Sequence, residues 1–131
     1  MNEVYEFLKK CGTYYLATVD EAGCPRVRPF GTIDVFENAL YIQTGRKKAV
    51  SRQLHENPRI EICAMSGGEW LRVSAVATPD DRLEPQKHLL DAYPELQSMY
   101  QPGDGNNEVF HLSDVSATFS SFAAPPRTVR F

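Results

Sequence analysis

Cysteine and histidine are scarce and scattered in this sequence, which argues against two common kinds of scaffold. Three cysteines and three histidines occur among the 131 residues, and no Cys-x-x-Cys pair is present. An odd number of widely spaced cysteines does not make a disulfide framework. Histidines without a carboxylate or thiol at ligand spacing do not make a metal site. We therefore expect neither a cross-linked fold nor a metal ion.

Long apolar runs are absent as well. No segment approaches the roughly 20 consecutive apolar residues of a membrane-spanning helix. The N-terminal stretch MNEVYE is acidic and amphipathic, unlike the basic and then apolar pattern of a signal peptide. The sequence predicts a cytoplasmic protein that does not associate with membranes.

The chain lacks an excess of positive charge, yet its cations are concentrated in one segment. The formal net charge is -3, which argues against general nucleic-acid binding. Residues 26–59 nevertheless contain seven Lys or Arg against three Asp or Glu, a local charge of +4. A basic segment in an acidic protein indicates recognition of a specific small anion. A solvated helix face is the simpler interpretation of such a charge run, and the pattern alone leaves both open.

Apolar periodicity divides the chain into a helix, a β-meander and further alternating elements. Val4, Phe7, Leu8 and Cys11 form one apolar stripe, which predicts a first helix that ends at Gly12. Strands are predicted at residues 13–19, 26–36, 40–44, 59–65, 70–78, 108–112 and 115–119, and further helical segments at residues 47–56, 83–93 and 94–99.

Short turns join most of these strands, so the predicted sheet is mainly antiparallel. About six to seven strands in a chain of this length make a single domain, residues 1–131. Strand edges must be closed or covered, which favours a small, mainly β barrel with peripheral helices. Broken alternation near Pro29 and Gly31 predicts a bend in the second strand.

Two alternating arginines and a run of cations are candidate ligands for the anion. Arg26 and Arg28 flank Val27, so their side chains point to the same face of a strand. Lys47 and Lys48 stand at the predicted start of a helix, where backbone N–H groups attract anions. A flat guanidinium fork and an ammonium point charge together suit a phosphate.

An ordered set of short motifs resembles a known family. Residues 17–20, 23–30, 40–45 and 54–60 read ATVD, GCPRVRPF, LYIQTG and LHENPRI. In this order they resemble the pyridoxamine 5′-phosphate oxidase-like proteins, which bind FMN in a split β-barrel. The nitroimidazole-resistance (Nim) type flavoproteins are one branch of that family. The resemblance covers residues 3–78.

The resemblance implies an antiparallel split β-barrel that forms a homodimer, with two FMN sites at the dimer interface. It implies phosphate contacts from Arg26 and from Lys47 or Lys48, with Arg52 as a further alternative for the helix cation. The complete set of implied cofactor-binding residues is Arg26, Arg28, Pro29, Phe30, Gln43, Thr44, Lys47, Lys48, Ser51, Trp70 and Arg72, the last two reaching in from the partner subunit.

Apolar residues of the late strands give a physical motive for the homodimer. Trp70, Phe110, Phe119 and Phe122 are predicted to present more apolar surface than one subunit can cover. A second copy of the chain would cover that surface.

No nucleophile or acid–base constellation is legible in the sequence, so no catalytic residue is assigned. This suits a protein whose cofactor carries the electron chemistry. The predicted function is electron transfer from a reduced nicotinamide or similar donor, through FMN, to a small acceptor. A related flavin in place of FMN remains open, as does a carrier, sensor or stress protein without turnover. The final residues, RTVRF, lack the Arg-x-His of true pyridoxamine phosphate oxidases, so that activity is not expected.

Overall fold

The computed structural model describes residues 1–131, arranged as one antiparallel sheet with helices on its periphery. The helices are α1, Asn2–Cys11; α2, Ala49–Glu56; and α3, Leu83–Ala92, which is followed by a short 3-10 helix, Pro94–Ser98. The strands are β1, Tyr14–Val19; β2, Pro25–Phe30; β3, Asp34–Phe36; β4, Ala39–Gly45; β5, Arg59–Ser66; β6, Glu69–Pro79; β7, Asn107–Ser121; and β8, Arg127–Arg130. None of the helices combines the length and apolarity needed to cross a bilayer.

The sheet runs in the order β2-β1-β5-β6-β7-β4-β3, and β8 pairs with β7. The long strand β7 pairs with β4 through residues 107–112 and with β8 through residues 116–119. One edge of β7 is therefore shared between β4 and β8, while its other edge pairs with β6. Strands β2 and β3 are left as the two open edges of the main path, so the barrel is split. The predicted mainly β, antiparallel split barrel is confirmed.

Alternating apolar residues build the core between these strands. In β5, Ile60, Ile62 and Ala64 are buried, while the residues between them point away. From α1, Val4 and Leu8 pack into the same core and are almost completely buried. Full burial of each such aliphatic side chain contributes about 1.5–3 kcal/mol. The core thus fixes the strand ends, from which the functional side chains project.

The predicted second strand is interrupted in the structure. Strand β2 ends at Phe30, and the chain passes through Ile33 to β3, at the opposite edge of the sheet. The Tyr93 hydroxyl accepts a hydrogen bond from the Ile33 N–H and donates one to the Ile33 carbonyl, both at 3.0 Å. The bend predicted near Gly31 is therefore a crossing between two strands, supported by a side chain far along the chain.

The last strands also differ from the prediction. The polar pair Ser113-Asp114 does not end a strand: β7 continues through it, and Asp114 adopts a φ of 51°. The pairing with β6 passes from Ser116 opposite Ser74 to Ser113 opposite Val76, so β7 carries one extra residue here, as in a bulge. Strand β8 was not predicted, because its alternation is too short to stand out from the proline-rich tail. Helix α2 begins at Ala49, two residues later than predicted.

Two of the aromatic residues predicted for a dimer surface are core residues instead. Phe110 and Phe119 are buried, because their strand turns that face inward. Phe122 is 96% exposed, and its ring lies 5.3 Å from the ring of the half-buried Trp70. Of the four residues predicted to form an apolar surface, only Trp70 and Phe122 are therefore accessible to a partner.

Candidate functional site

A cavity of about 410 Å³ opens where β2, the end of β4 and the start of α2 meet the segment after α3. It gathers residues from segments that are distant in sequence. Six of the residues implied by the family resemblance line it: Arg28, Pro29, Phe30, Gln43, Thr44 and Lys48.

Arg28 is held in the cavity wall by a small polar network. Its Nη1 donates to Thr18 Oγ1 at 2.8 Å, and its Nη2 donates to Gln53 Oε1 at 2.6 Å. Thr18 in turn donates to the same Gln53 oxygen at 2.5 Å. Partial burial lowers the pKa of the Arg28 guanidinium, which nonetheless remains a cation at neutral pH. The network fixes the orientation of a positive charge beside the cavity.

The start of α2 presents unpartnered amides next to Lys48. Lys48 is the N-cap residue, and its own N–H donates to the Gly45 carbonyl at 3.0 Å. The following N–H groups of Ala49 and Val50 have no acceptor within the chain. Such amides carry the positive end of the helix dipole. Because Lys48 and Val50 both line the cavity, this helix start favours an anion there.

Two buried polar residues at the end of β4 offer further groups to the cavity. The Gln43 Nε2 donates to Asn107 Oδ1 at 2.8 Å, which orients the amide. The Gln43 Oε1 and the Thr44 hydroxyl make no hydrogen bond within the chain, although both residues are more than nine-tenths buried. They are therefore suited to bond a polar edge of a bound molecule.

A buried carboxylate anchors α2 to the start of β7. Glu108 is 1% exposed, and its Oε1 accepts a hydrogen bond from the Ser51 hydroxyl at 2.6 Å. Its Oε2 lies 2.7 Å from His55 Nε2 and 3.1 Å from Arg46 Nη1. Arg46, the first of the clustered cations, also pairs with the exposed Asp81 at 3.0 Å. The hydroxyl of Ser51, an implied cofactor contact, is thus used within the protein.

Three other cations of the basic segment lie away from the cavity lining. Arg26 pairs with Asp20 at 2.9 Å and is 58% exposed. Lys47 and Arg52 are exposed on the surface around α2. Of the three alternatives for the helix cation, only Lys48 therefore lines the cavity.

Trp70 and Arg72 lie on the outer face of the sheet, at a distance from this cavity. They border a separate pocket, in which Arg72 Nη2 contacts Glu61 Oε1 at 3.2 Å. Strand pairing places Trp70 opposite Met65 and Arg72 opposite Cys63. Neither side chain reaches the cavity of its own subunit.

Sequence reasoning missed the wall contributed by the segment after α3. Tyr93, Glu95, Leu96, Met99 and Tyr100 all line the cavity. The spacing of Tyr93, Leu96 and Met99 gave a helical signal, but nothing in it identified the strands on which that face packs. The wall makes one side of the cavity aromatic and apolar, and Glu95 is its single carboxylate.

An ion-pair network fixes the start of α3 and therefore this wall. Asp80 accepts a hydrogen bond from the Tyr41 hydroxyl at 2.7 Å and pairs with Arg82 at 2.8 Å. Arg82 also reaches Glu37 at 2.8 Å. The Arg82 guanidinium holds the pKa of Asp80 well below its usual range. Burial, followed by the bond to Asp80, raises the pKa of Tyr41 to about 12.

Comparison with known proteins matches this architecture to one family over most of the chain. The family profile described as pyridoxamine 5′-phosphate oxidase matches residues 1–118. The crystal structure of a NimC/NimA family protein from Clostridium acetobutylicum is 38% identical, with a TM-score of 0.91 over 98% of this chain and 93% of that one. Among curated proteins, none matches.

More distant solved structures share the fold alone. General Stress Protein 26 from Bacillus anthracis strain Sterne is 15% identical, with a TM-score of 0.74 over 98% of this chain and 99% of that one. A structure named F420 reductase is 18% identical, with a TM-score of 0.60 over 82% of this chain and 89% of that one.

Fold and cavity together define an antiparallel split-barrel protein with a cleft beside the start of a helix. The chain belongs to the pyridoxamine 5′-phosphate oxidase family. The resemblance stated from the sequence motifs is thereby confirmed.

Proposed function

We propose that the protein binds FMN in the cavity between β2, β4 and α2, and passes electrons from a reduced nicotinamide or similar donor to a small acceptor. The observation that carries this proposal is the start of α2. The free amides of Ala49 and Val50 adjoin Lys48, and both Lys48 and Arg28 line the same cavity. A phosphate monoester is the ligand that such a helix start and two cations suit best.

The positive charges beside the cavity match the negative charge of the FMN phosphate. The phosphate of FMN carries close to two negative charges, which Arg28 and Lys48 balance. Arg28 offers a positive charge whose position is fixed by its bonds to Thr18 and Gln53, while Lys48 is a mobile point charge. In this proposal Lys47 adds positive charge beside the helix start, and Ser51 anchors α2 through Glu108. Arg26, which pairs with Asp20, acts only through its longer-range field.

The remainder of the cavity suits a flat ring system. The Pro29-Phe30 segment offers an apolar surface and backbone groups, and Gln43 and Thr44 offer polar side-chain atoms. When bound, the flavin supplies hydride and electron transfer. The protein contributes orientation and exclusion of water, which agrees with the lack of an acid–base constellation. The reductase name of one fold neighbour is in keeping with such chemistry.

We further propose that two subunits share each cofactor site. Tyr15, Val27 and Met65 are 53%, 68% and 63% exposed and lie on one outer face of β2, β1 and β5. Pro29 stands opposite Tyr15 on that face and also lines the cavity. A second copy on this apolar patch would cover the open side of the cavity. Trp70 and Arg72 share the outer face, so they are the residues that a partner would bring to the ring.

Binding of FMN is tested directly with the purified protein. We expect visible flavin absorbance, release of FMN identified by mass, and oxidation of NADH or NADPH when an acceptor is supplied. Absence of bound flavin, together with an affinity for added FMN no tighter than about 1 mM, would contradict the proposal. Tight FMN binding without turnover over a broad panel of acceptors would indicate the alternative, a flavin-binding carrier, sensor or stress protein.

The shared site predicts that dimerisation and FMN binding weaken together. Val27→Asp places a charge in the exposed apolar patch without removing a cavity residue. We expect sedimentation to show a dimer for the wild type and mostly monomer for the variant, with FMN affinity lowered in parallel. Glu21→Lys, in the exposed turn before β2, is the control and should leave both unchanged. A wild type that is monomeric at micromolar concentration would refute the shared site.

A further inference from the structure

Tyr100 has a buried phenol whose hydroxyl has no partner in the chain. The residue is 8% exposed and lines the cavity together with Lys48 and Val50. Its hydroxyl makes no hydrogen bond to any protein group. Buried tyrosines usually satisfy this hydroxyl. No enclosed polar side-chain atom of the chain lacks a partner, so the Tyr100 hydroxyl is open to solvent and free to donate to a molecule bound in the cavity that its residue lines.

The hydroxyl lies beside the loop that leads into α2. A Cβ atom built on Gly45 would stand 2.9 Å from the Tyr100 hydroxyl and 3.2 Å from Cε1 of the same ring. The phenol therefore occupies the space that a side chain at Gly45 would need. Because the Gly45 carbonyl accepts the Lys48 N–H, the hydroxyl sits at the turn whose other end carries Lys48.

The loop after Tyr100 is hydrogen-bonded to the turn before α2. The Asn106 carbonyl accepts the Arg46 N–H at 2.8 Å, and its side-chain Oδ1 accepts the Lys47 N–H at 3.2 Å. Asp104 in turn accepts the Asn106 N–H at 2.7 Å. The segment that follows Tyr100 is thus tied to the turn before α2 by one backbone hydrogen bond and by one to the Asn106 side chain.

We propose that the Tyr100 hydroxyl donates a hydrogen bond to the phosphate group bound at the start of α2, and that Gly45 is a glycine because the phenol needs its space. This inference rests on the proposed function and adds a neutral donor to the two cations. It makes Tyr100 a determinant of phosphate recognition. A role in packing alone would instead leave phosphate recognition independent of the hydroxyl.

The hydroxyl is tested with Tyr100→Phe, which keeps the ring and removes one oxygen. FMN binding is followed by quenching of flavin fluorescence, and inorganic phosphate is titrated as a competitor. Loss of a hydrogen bond to a charged group is expected to weaken both FMN and phosphate binding by about tenfold. Tyr5→Phe, the same change on α1 and away from the cavity, should leave both constants unchanged.

Gly45→Ala tests the same phenol from the opposite side. Gly45 is not in the left-handed region, so its backbone tolerates alanine, but the added Cβ displaces the hydroxyl. We expect a similar loss of phosphate affinity, and no further loss in the double variant with Tyr100→Phe. Unchanged binding in Tyr100→Phe overturns the inference. A Tyr100→Phe variant that loses affinity for FMN but not for inorganic phosphate also overturns it. A wild type that fails to bind FMN overturns the proposed function itself.

Discussion

Lys48→Ala is expected to weaken FMN binding by about 10- to 100-fold, the equivalent of one strong hydrogen bond to a charged group. Lys48 is the cation of the basic run that lines the cavity, and it adjoins the free amides of α2. Its own side chain makes no hydrogen bond or ion pair within the protein, so the loss should fall on the ligand and not on folding. Titration of flavin fluorescence, with unfolding midpoints measured alongside, checks this result.

Lys47→Ala is the matched control, because it removes the same charge one residue earlier. Lys47 is exposed and lies outside the cavity lining, so only a screened, long-range contribution is lost. We expect a change of less than about threefold. Equal losses of FMN affinity in the two variants would show that the summed positive charge of the segment, and not a direct contact from Lys48, attracts the phosphate. A larger loss of FMN affinity for Lys47→Ala would mean that Lys47, and not Lys48, contacts the ligand at the helix start.

Glu108→Ala should lower the free energy of unfolding by about 3 kcal/mol. Its carboxylate is buried and holds Ser51, His55 and Arg46. Removal leaves the buried Ser51 hydroxyl without an acceptor and frees α2 from β7. Urea denaturation followed by tryptophan fluorescence measures the change, because Trp70 is the single tryptophan.

Asp81→Ala provides the comparison, since Asp81 pairs with the same Arg46 but is 80% exposed. Exposed ion pairs contribute little, so we expect a loss of less than about 0.5 kcal/mol. Similar losses in both variants would show that Arg46, and not the buried carboxylate, secures the helix. FMN affinity should fall in Glu108→Ala only, because the position of the start of α2 depends on this contact.

The fold could be predicted from the sequence where periodicity is local. Alternation marked Ile60, Ile62 and Ala64 as core, and the i, i+3, i+4 stripe marked Val4 and Leu8. Prediction failed where partners that are distant in sequence decide the outcome. The crossing at residues 31–33 depends on the Tyr93 hydroxyl, and β8 depends on an available edge of β7. Neither contact is visible in the hydrophobic periodicity of the segment that it stabilises.

The candidate site was predicted unevenly for the same reason. Motif order gave Arg28, Gln43 and Lys48, which the structure places around one cavity. Charge alone could not separate Lys48 from Lys47, because a turn of a few residues decides which of them faces inward. Tyr100 was missed because an isolated tyrosine after a short helical turn reads as packing. Its proximity to Gly45 exists only in three dimensions.

The two prolines of the edge strand β2 limit how copies of this protein can associate. Pro25 and Pro29 have no N–H to donate, and they stand opposite Val19 and Tyr15 on β1. A foreign strand laid along this rim would meet gaps in its hydrogen-bond ladder, so continuous strand addition and fibril-like stacking are disfavoured. Copies that associate at this edge must therefore contact each other through side chains on the face of the sheet. This favours a closed dimer over an open-ended polymer.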